Sequence, residues 1–417
     1  MAVQTITAIA DIIKNAYLPA FENQLTTEAS PFLEKIKKVP LMSNDIVASA
    51  PVGFNGGVGF GGPESAATPD SGPQLYKGFK TQAHDLYCNI EISDKAVKLA
   101  SNNQGAMMNA LDHEIKSAYT AAEFNLGRVL FGNGSGILAS IMAAADGATT
   151  IYVSDCVTVR EGMIIDAYAN TSATASGTAP ATAGARVLAV NREYNSTSKG
   201  YAVTLDKAVT AKTALTSADA TAVGTFGFVT LQKSYKREFT GLGAVMDDGV
   251  ASIYGVTKAD NIWVKPTVVD AKNALGDIVL YDGVKRAQDF KNAKIDMILM
   301  GDAAFTAYQK YMRSNNTVYV DKTMKFKGGA IGYTVVVGNR EVVVVNERFV
   351  PTNEAWGVAT SDWELHHTTL GFADQGGSDF ILVPNYSFYR GLLTLYGDFI
   401  CKNPGGCVKF TNCNTTT

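Results

Sequence analysis

The sequence contains no apolar run near the ~20 residues that a bilayer-spanning helix needs. Its opening, Met1-Ala2-Val3-Gln4-Thr5-Ile6-Thr7, lacks the basic region and apolar stretch of a secretion signal, so a cytoplasmic product is expected. A basic excess is missing too: 36 Lys and Arg stand against 39 Asp and Glu, a formal net charge of −3. Proteins that grip nucleic acid through its phosphates carry the opposite balance, so tight DNA binding is not the expected task. Cysteine is scarce. The five residues Cys88, Cys156, Cys401, Cys407 and Cys413 are odd in number and widely spaced, which argues for free thiols rather than a disulfide framework. Charged residues make up only 18% of the 417, but hydrophobic ones make up 46%. That is enough for two or three compact units and argues against wholesale disorder.

Catalytic signatures are missing as well. No nucleophile elbow, Walker loop or zinc-protease helix occurs. Gly132-x-Gly134-x-Gly136 has the spacing of a phosphate cradle, but such glycines must precede a helix N-terminus. These follow a helix and read as its stop. His366 and His367 lie near Asp362 and Glu364. Adjacent strand residues face opposite ways, and no spaced partner completes a zinc set, so a surface or interface pair is expected. Cys401, Cys407 and Cys413 form a C-x5-C-x5-C run that matches no zinc or iron–sulfur spacing. They are expected on a short exposed tail. His84 and His113 stand alone. No catalytic, cofactor-binding or metal site is expected, and an unrecognised β-rich hydrolase is the weakest of the functional readings.

What is present is a distinctive order of parts. Residues 1–45 mix apolar and charged positions at helical spacing, with Ile9, Ile12, Ile13 and Tyr17, then Phe32, Leu33 and Ile36. This amphipathic arm has no evident core of its own. Pro51-Val52-Gly53-Phe54-Asn55-Gly56-Gly57-Val58-Gly59-Phe60-Gly61-Gly62-Pro63 follows, with further glycine and proline to Gly78. A stretch so poor in apolar surface cannot fold alone. It returns into a strand in which Leu86, Cys88, Ile90 and Ile92 alternate with polar residues. Met108, Leu111, Ile115, Ala118, Tyr119, Ala122, Leu126, Val129 and Leu130 then make one helical stripe.

From about 149 to 232 short β-prone runs alternate with Ser/Thr/Ala/Gly spacers such as Thr171–Thr178. They predict a small barrel or sandwich with strands over 150–153, 158–160, 186–190, 201–205 and 226–231. Mixed α/β follows, with helices over 278–290 and 302–312 and strands over 295–300, 333–337, 341–345, 356–359, 380–383 and 391–400. Gly338-Asn339-Arg340 marks a hairpin turn.

In this arrangement the chain resembles the major capsid proteins of tailed bacteriophages, the Hong Kong 97-type fold. Glu123-Phe124-Asn125-Leu126-Gly127-Arg128-Val129-Leu130-Phe131-Gly132-Asn133-Gly134-Ser135-Gly136 is similar to that family's exit from its long spine helix. Tyr235-Lys236-Arg237-Glu238-Phe239-Thr240-Gly241-Leu242, with Ile253-Tyr254-Gly255-Val256 and Trp263, is similar to the segment that returns to the main fold. The resemblance implies an α+β fold: an N-terminal arm (1–45), an extended β-hairpin loop (46–92), and a peripheral domain (93–148) with its spine helix at 103–131. An inserted β-rich domain (149–232) and peripheral and axial segments (233–417) complete it.

It further implies a non-enzymatic, cofactor-free subunit that self-assembles as hexamers and pentamers into an icosahedral or prolate shell around dsDNA. Assembly would occur in the bacterial host cytoplasm. Scaffolding and portal proteins would be partners, DNA contact weak and non-specific, and membrane or small-molecule partners absent. An encapsulin nanocompartment shell, enclosing enzymes instead of a genome, is the alternative. Two family traits do not carry over. The sequence opens almost directly with the arm, so scaffolding is expected from a separate protein, or that stage is expected to be absent. Lys77 and Lys80 lie in the loop, but no acceptor asparagine for a shell cross-link can be named.

Overall fold

The computed structural model describes residues 30–53, 55–60, 70, 72–95, 104–144, 147–168, 180, 182–209, 227–247, 249–314, 323–325, 331–337, 340–373 and 380–414. The chain divides into two compact units, Met1–Phe131 with Phe239–Thr417, and Gly132–Glu238.

The first unit is built on two sheets. A six-stranded sheet is organised by Phe388–Cys401, which pairs antiparallel with His84–Ser93 and Trp363–His367 and with the short strands Gly371–Phe372 and Phe380–Leu382. Lys37–Pro40 adds a parallel edge on Trp363–His367. The helical stripe forms Gln104–Leu130, which packs on His84–Ser93. Ile115, Tyr119, Ala122, Leu126, Val129 and Leu130 are buried, the i, i+3/i+4 face that the spacing demands.

The arm needs a correction. Residues 1–29 lie outside the described residues, but the later part of the expected arm has a core at home. Ser30 caps the short helix Pro31–Lys35 by accepting from the Phe32 N–H. Phe32, Leu33 and Ile36 are buried, and Phe32 meets Trp363 edge-on with ring centroids 6.0 Å apart.

The second sheet has seven strands, in the order Thr267–Asp270, Val408–Thr411, Ala355–Val358, Met297–Met300, Arg340–Asn346, Ile331–Val337 and Thr323–Lys325. Its centre reads as continuous apolar runs because both faces are covered: Met297–Met300 and Val342–Val345 are wholly buried. Helices Asp277–Lys291 and Asp302–Ser314 pack against it. Asn292, at φ 50°, ends the first helix in the left-handed conformation. The two strands of the expected hairpin pair antiparallel, with Val337 opposite Arg340.

The cysteines at the C-terminal end contradict the expectation of an exposed tail. Cys401, Cys407 and Cys413 are all buried. Cys401 ends the 14-residue strand Phe388–Cys401, and Cys407 opens onto Val408–Thr411, an interior strand of the second sheet. Cys413 donates its backbone N–H to Asn353 O at 3.0 Å. The short Val408-Lys409-Phe410-Thr411 run carries too little pattern to announce a central strand.

The second unit is a closed six-stranded barrel formed by Ile137–Ala144, Thr150–Val153, Ile164–Tyr168, Thr182–Asn195, Gly200–Leu205 and Phe228–Leu231. Ile141, Ile151, Val153, Ile165, Val187, Val203 and Val229 fill its interior. Its first strand precedes the expected start at 149. Residues 158–160 form no strand; Gly162, at φ 87°, turns the chain there, and the pairing strand begins at Ile164. The spacer at 171–178 lies outside the described residues.

Candidate assembly surface

Asp45–Val52 and Leu75–Gln82 pair antiparallel, from Asp45 opposite Gln82 to Val52 opposite Leu75, as a ribbon separate from both sheets. Alternation sorts its side chains. Ile46, Phe79 and Thr81 are buried on one face, with Phe79 against Trp263 and Tyr254 at centroid distances of 5.6 and 5.9 Å. The Lys80 N–H also donates to Tyr254 O at 3.0 Å. Beyond this anchored base the ribbon continues outward. The Gly56 N–H donates to Gly72 O at 3.1 Å, and a Cβ on Gly72 would stand 2.7 Å from the Gly56 backbone. Glycine is required at that approach. The strand His84–Ser93, expected within the loop as far as residue 92, lies instead in the six-stranded sheet.

The outer ribbon exposes what a soluble surface normally hides. Phe60 is 106% exposed, and Val58, Leu75, Tyr76 and Val47 are between 66% and 75% exposed. A two-stranded ribbon is marginal in water without a covering layer, and an exposed apolar edge strand is a template for pairing with another chain. Lys77 and Lys80 sit on the same strand; Lys80 pairs with Asp45 at 2.8 Å.

Where the ribbon joins the body, Asp398 organises a buried polar node. Its carboxylate is fully buried and accepts from the Thr81 hydroxyl at 2.5 Å, the Thr240 N–H at 2.6 Å and the Phe399 N–H at 2.9 Å. His84 Nδ1 stands 3.7 Å from Asp398 Oδ2. Asp398 raises the imidazole's pKa against the opposing effect of burial. The chain thus ties the ribbon (Thr81), the start of the next strand (His84), the segment after the barrel (Thr240) and the central strand (Asp398) at one point. His84 is therefore not alone. His113 lies on the long helix, with its side chain outside the described residues.

Beside the ribbon's base, Glu364 gathers two ammonium groups and an imidazole. Lys402 and Lys37 reach its Oε1 at 2.8 and 3.2 Å, and His366 Nε2 lies 3.4 Å from Oε2. Burial pushes the Glu364 carboxyl up, and the two ammonium groups more than offset it, so its pKa lies below the ordinary value. His366 and Glu364 share a face; His367 points the other way, its Nδ1 2.8 Å from Thr368 O. The two histidines thus separate as strand alternation requires. Asp362 sits on the preceding 3-10 turn. Among the described residues, no group of three or more His, Cys, Asp or Glu is arranged to hold a metal ion. No described helix is long and apolar enough to cross a membrane. The glycines at 132, 134 and 136 do follow the long helix, with Gly134 and Gly136 at φ 79° and 78°. A Cβ at Gly136 would stand 2.5 Å from Ser234 O.

Glu347 marks the arm's attachment. The Ser30 hydroxyl donates to its Oε2 at 2.8 Å, and burial pushes its carboxyl up to about 7. An ordinary glutamate titrates near 4.5, so between these values the folded chain holds a proton that the unfolded chain releases. The linked stability is full at the acid end and is lost as pH rises through about 7. Urea midpoints at about pH 5.5 and about pH 7.5 are expected to fall more for the wild type than for Glu347→Gln. Equal falls would contradict this.

No protein-family model matches the chain, and no curated protein sequence does. Among solved structures, it is similar to the capsid asymmetric unit of cyanophage A-1(L), with a TM-score of 0.52 at 10% identity over 94% of both chains. The fold is that of a phage capsid protein. The capsid of Myoviridae phage XM1 aligns at TM-score 0.43, 8% identity and 93% and 92% coverage. The holo-SrpI encapsulin complex from Synechococcus elongatus PCC 7942 aligns at 0.44, 9% identity and 93% and 90% coverage. In this capsid fold the ribbon, the Asp398 node and the Glu364 cluster all belong to the first unit. The convergence of Lys37 and Lys402 on Glu364 joins residues 327 and 38 positions apart, and no sequence spacing announces it.

Proposed function

We propose that this chain is a major capsid protein of the Hong Kong 97 type, which self-assembles as hexamers and pentamers into the head shell around the dsDNA of a tailed phage. The observation that carries this reading is the ribbon. It is rooted in the body through Phe79 and Thr81, yet it extends Phe60, Val58, Leu75 and Tyr76 into solvent. Apolar surface held away from its own body gains stability when a sister subunit covers it.

The net charge of −3 also suits the role, since a shell interior that must release its DNA should hold it weakly. Scaffolding and portal proteins would complete the assembly, which would occur in the host cytoplasm. The role is structural and uses no cofactor. The barrel, 149–232 in the sequence reading, would vary independently of the shell-forming unit. Electron microscopy of the purified full-length chain is expected to show capsomer rings or closed shells, with nuclease-protected DNA in particles from infected cells. A monodisperse monomer at all concentrations would refute the assembly role, and an enzyme cargo in place of DNA would refute the phage assignment.

A further inference from the structure

The strand Asp45–Val52 turns small side chains toward the body. Ala48 and Ala50 alternate with the exposed Val47 and Ser49 and pack half-buried against the core. Across from them stand Glu364 and His366 on Trp363–His367, with Ile400 and Lys402 at the end of Phe388–Cys401. Alanine is too short to close the gap, and a cavity of about 400 Å³ remains. This lies within the ~300–1,000 Å³ of pockets that hold small molecules. Its floor is apolar, because Ile46, Phe79 and Ile400 are buried. Without an occupant, that floor lacks packing partners on one side.

The rim carries unequal charge. Lys402 lines the cavity, and Lys402 and Lys37 reach the same Glu364 oxygen at 2.8 and 3.2 Å. Two ammonium groups thus answer one carboxylate, with the His366 imidazole 3.4 Å from its other oxygen. Each ammonium carries three N–H donors, and the Lys37 and Lys402 side chains are 70% and 51% exposed. Both can therefore turn a donor to an incoming anion without releasing Glu364. A second carboxylate would bring the cluster to two positive and two negative groups, joined by charge-assisted hydrogen bonds.

We infer that this cavity binds a small amphiphilic carboxylate, with its hydrocarbon tail on Phe79 and Ile400 and its anionic head at Lys402 and Lys37. The two halves of the site set the ligand class. A purely polar anion such as free phosphate would leave the apolar floor against water. A neutral hydrocarbon would leave the cation excess unanswered, and a cationic amphiphile would meet like charge. The occupant touches the ribbon on one side and the six-stranded sheet on the other, so binding also steadies the ribbon's root. Every group involved belongs to one copy, and the site operates in the isolated subunit whether or not copies assemble.

Calorimetric titration of the full-length, unassembled chain with hexanoate, octanoate and decanoate, each below its micelle concentration, tests this. Affinity is expected to rise about fourfold per added methylene, the ratio that burying one CH2 gives. Lys402→Gln changes an exposed side chain and leaves Lys37 on Glu364. It is expected to weaken octanoate about tenfold and leave octanol unchanged. Ala48→Leu fills the cavity and is expected to abolish binding of both; should that variant fail to fold, Lys402→Gln decides alone. Hydrogen exchange of the amides of residues 46–50 is expected to slow with octanoate, which places the ligand at the ribbon's root. No heat at millimolar octanoate, equal binding of octyltrimethylammonium, or wild-type octanoate affinity in Lys402→Gln or folded Ala48→Leu overturns the inference. A chain that binds octanoate but forms no particles overturns the capsid reading and leaves this one standing.

Discussion

Replacing residues 53–73 with a short turn is expected to leave a folded, soluble subunit that forms no shells. The argument is one of burial. The described residues in this span include Val58 and Phe60, 75% and 106% exposed, so their removal takes nothing from the core. The elements that root the ribbon lie outside the deletion: Phe79 against Trp263 and Tyr254, and Thr81 on Asp398. Thermal and denaturant stability of the subunit should change little, whereas assembly should fall to the detection limit, because the covering contact between copies is lost. Normal shells from the deletion, seen by electron microscopy, would show that assembly uses other surfaces.

Asp398→Ala is expected to have the largest effect on the stability of the subunit itself. The substitution strips the acceptor from the Thr81 hydroxyl and from the Thr240 and Phe399 N–H groups in a fully buried setting. Buried donors left without partners cost roughly 1–3 kcal/mol each, and the loss of one member of a buried charged network costs about 3–5 kcal/mol. The denaturant midpoint should fall accordingly, with Asp398→Asn intermediate because its carbonyl still accepts. His84 adds a pH signature. Asp398 raises the imidazole's pKa above 6.5, so its contribution is full below that value and fades as pH rises through the folded-state pKa. His84→Ala should flatten this dependence while leaving most of the Asp398 effect. An Asp398→Ala variant with wild-type stability would contradict the role assigned to the node.

How much of this the sequence discloses differs from element to element. The long helix is legible because a stripe from Met108 to Leu130 repeats at three and four residues and glycines follow it; it forms as Gln104–Leu130. The ribbon is legible from its poverty of apolar residues ahead of an alternating strand. Ile137–Ala144 is not, because Ile-Leu-Ala-Ser-Ile-Met-Ala-Ala is apolar except for Ser140, and such a run does not distinguish a barrel strand from a helix by period. Phe32, Leu33 and Ile36 sit, by sequence, in an arm with no evident core of its own. Their partners, Trp363 and the end of the long helix, are distant in sequence. The assembly surface divides in the same way. Its exposed tip is inferable from composition, whereas the Asp398 node and the Glu364 cluster depend on strand pairings such as Lys37 with Glu364 and His84 with Gly397, hundreds of positions apart.

The decisive measurement is an electron cryomicroscopy map of the assembled full-length chain, detailed enough to trace residues 45–82. The account predicts that density for Val58, Phe60, Leu75 and Tyr76 lies against a sister subunit and is covered by it. A map in which these side chains fold back onto their own body, or remain in solvent within an intact particle, would contradict it.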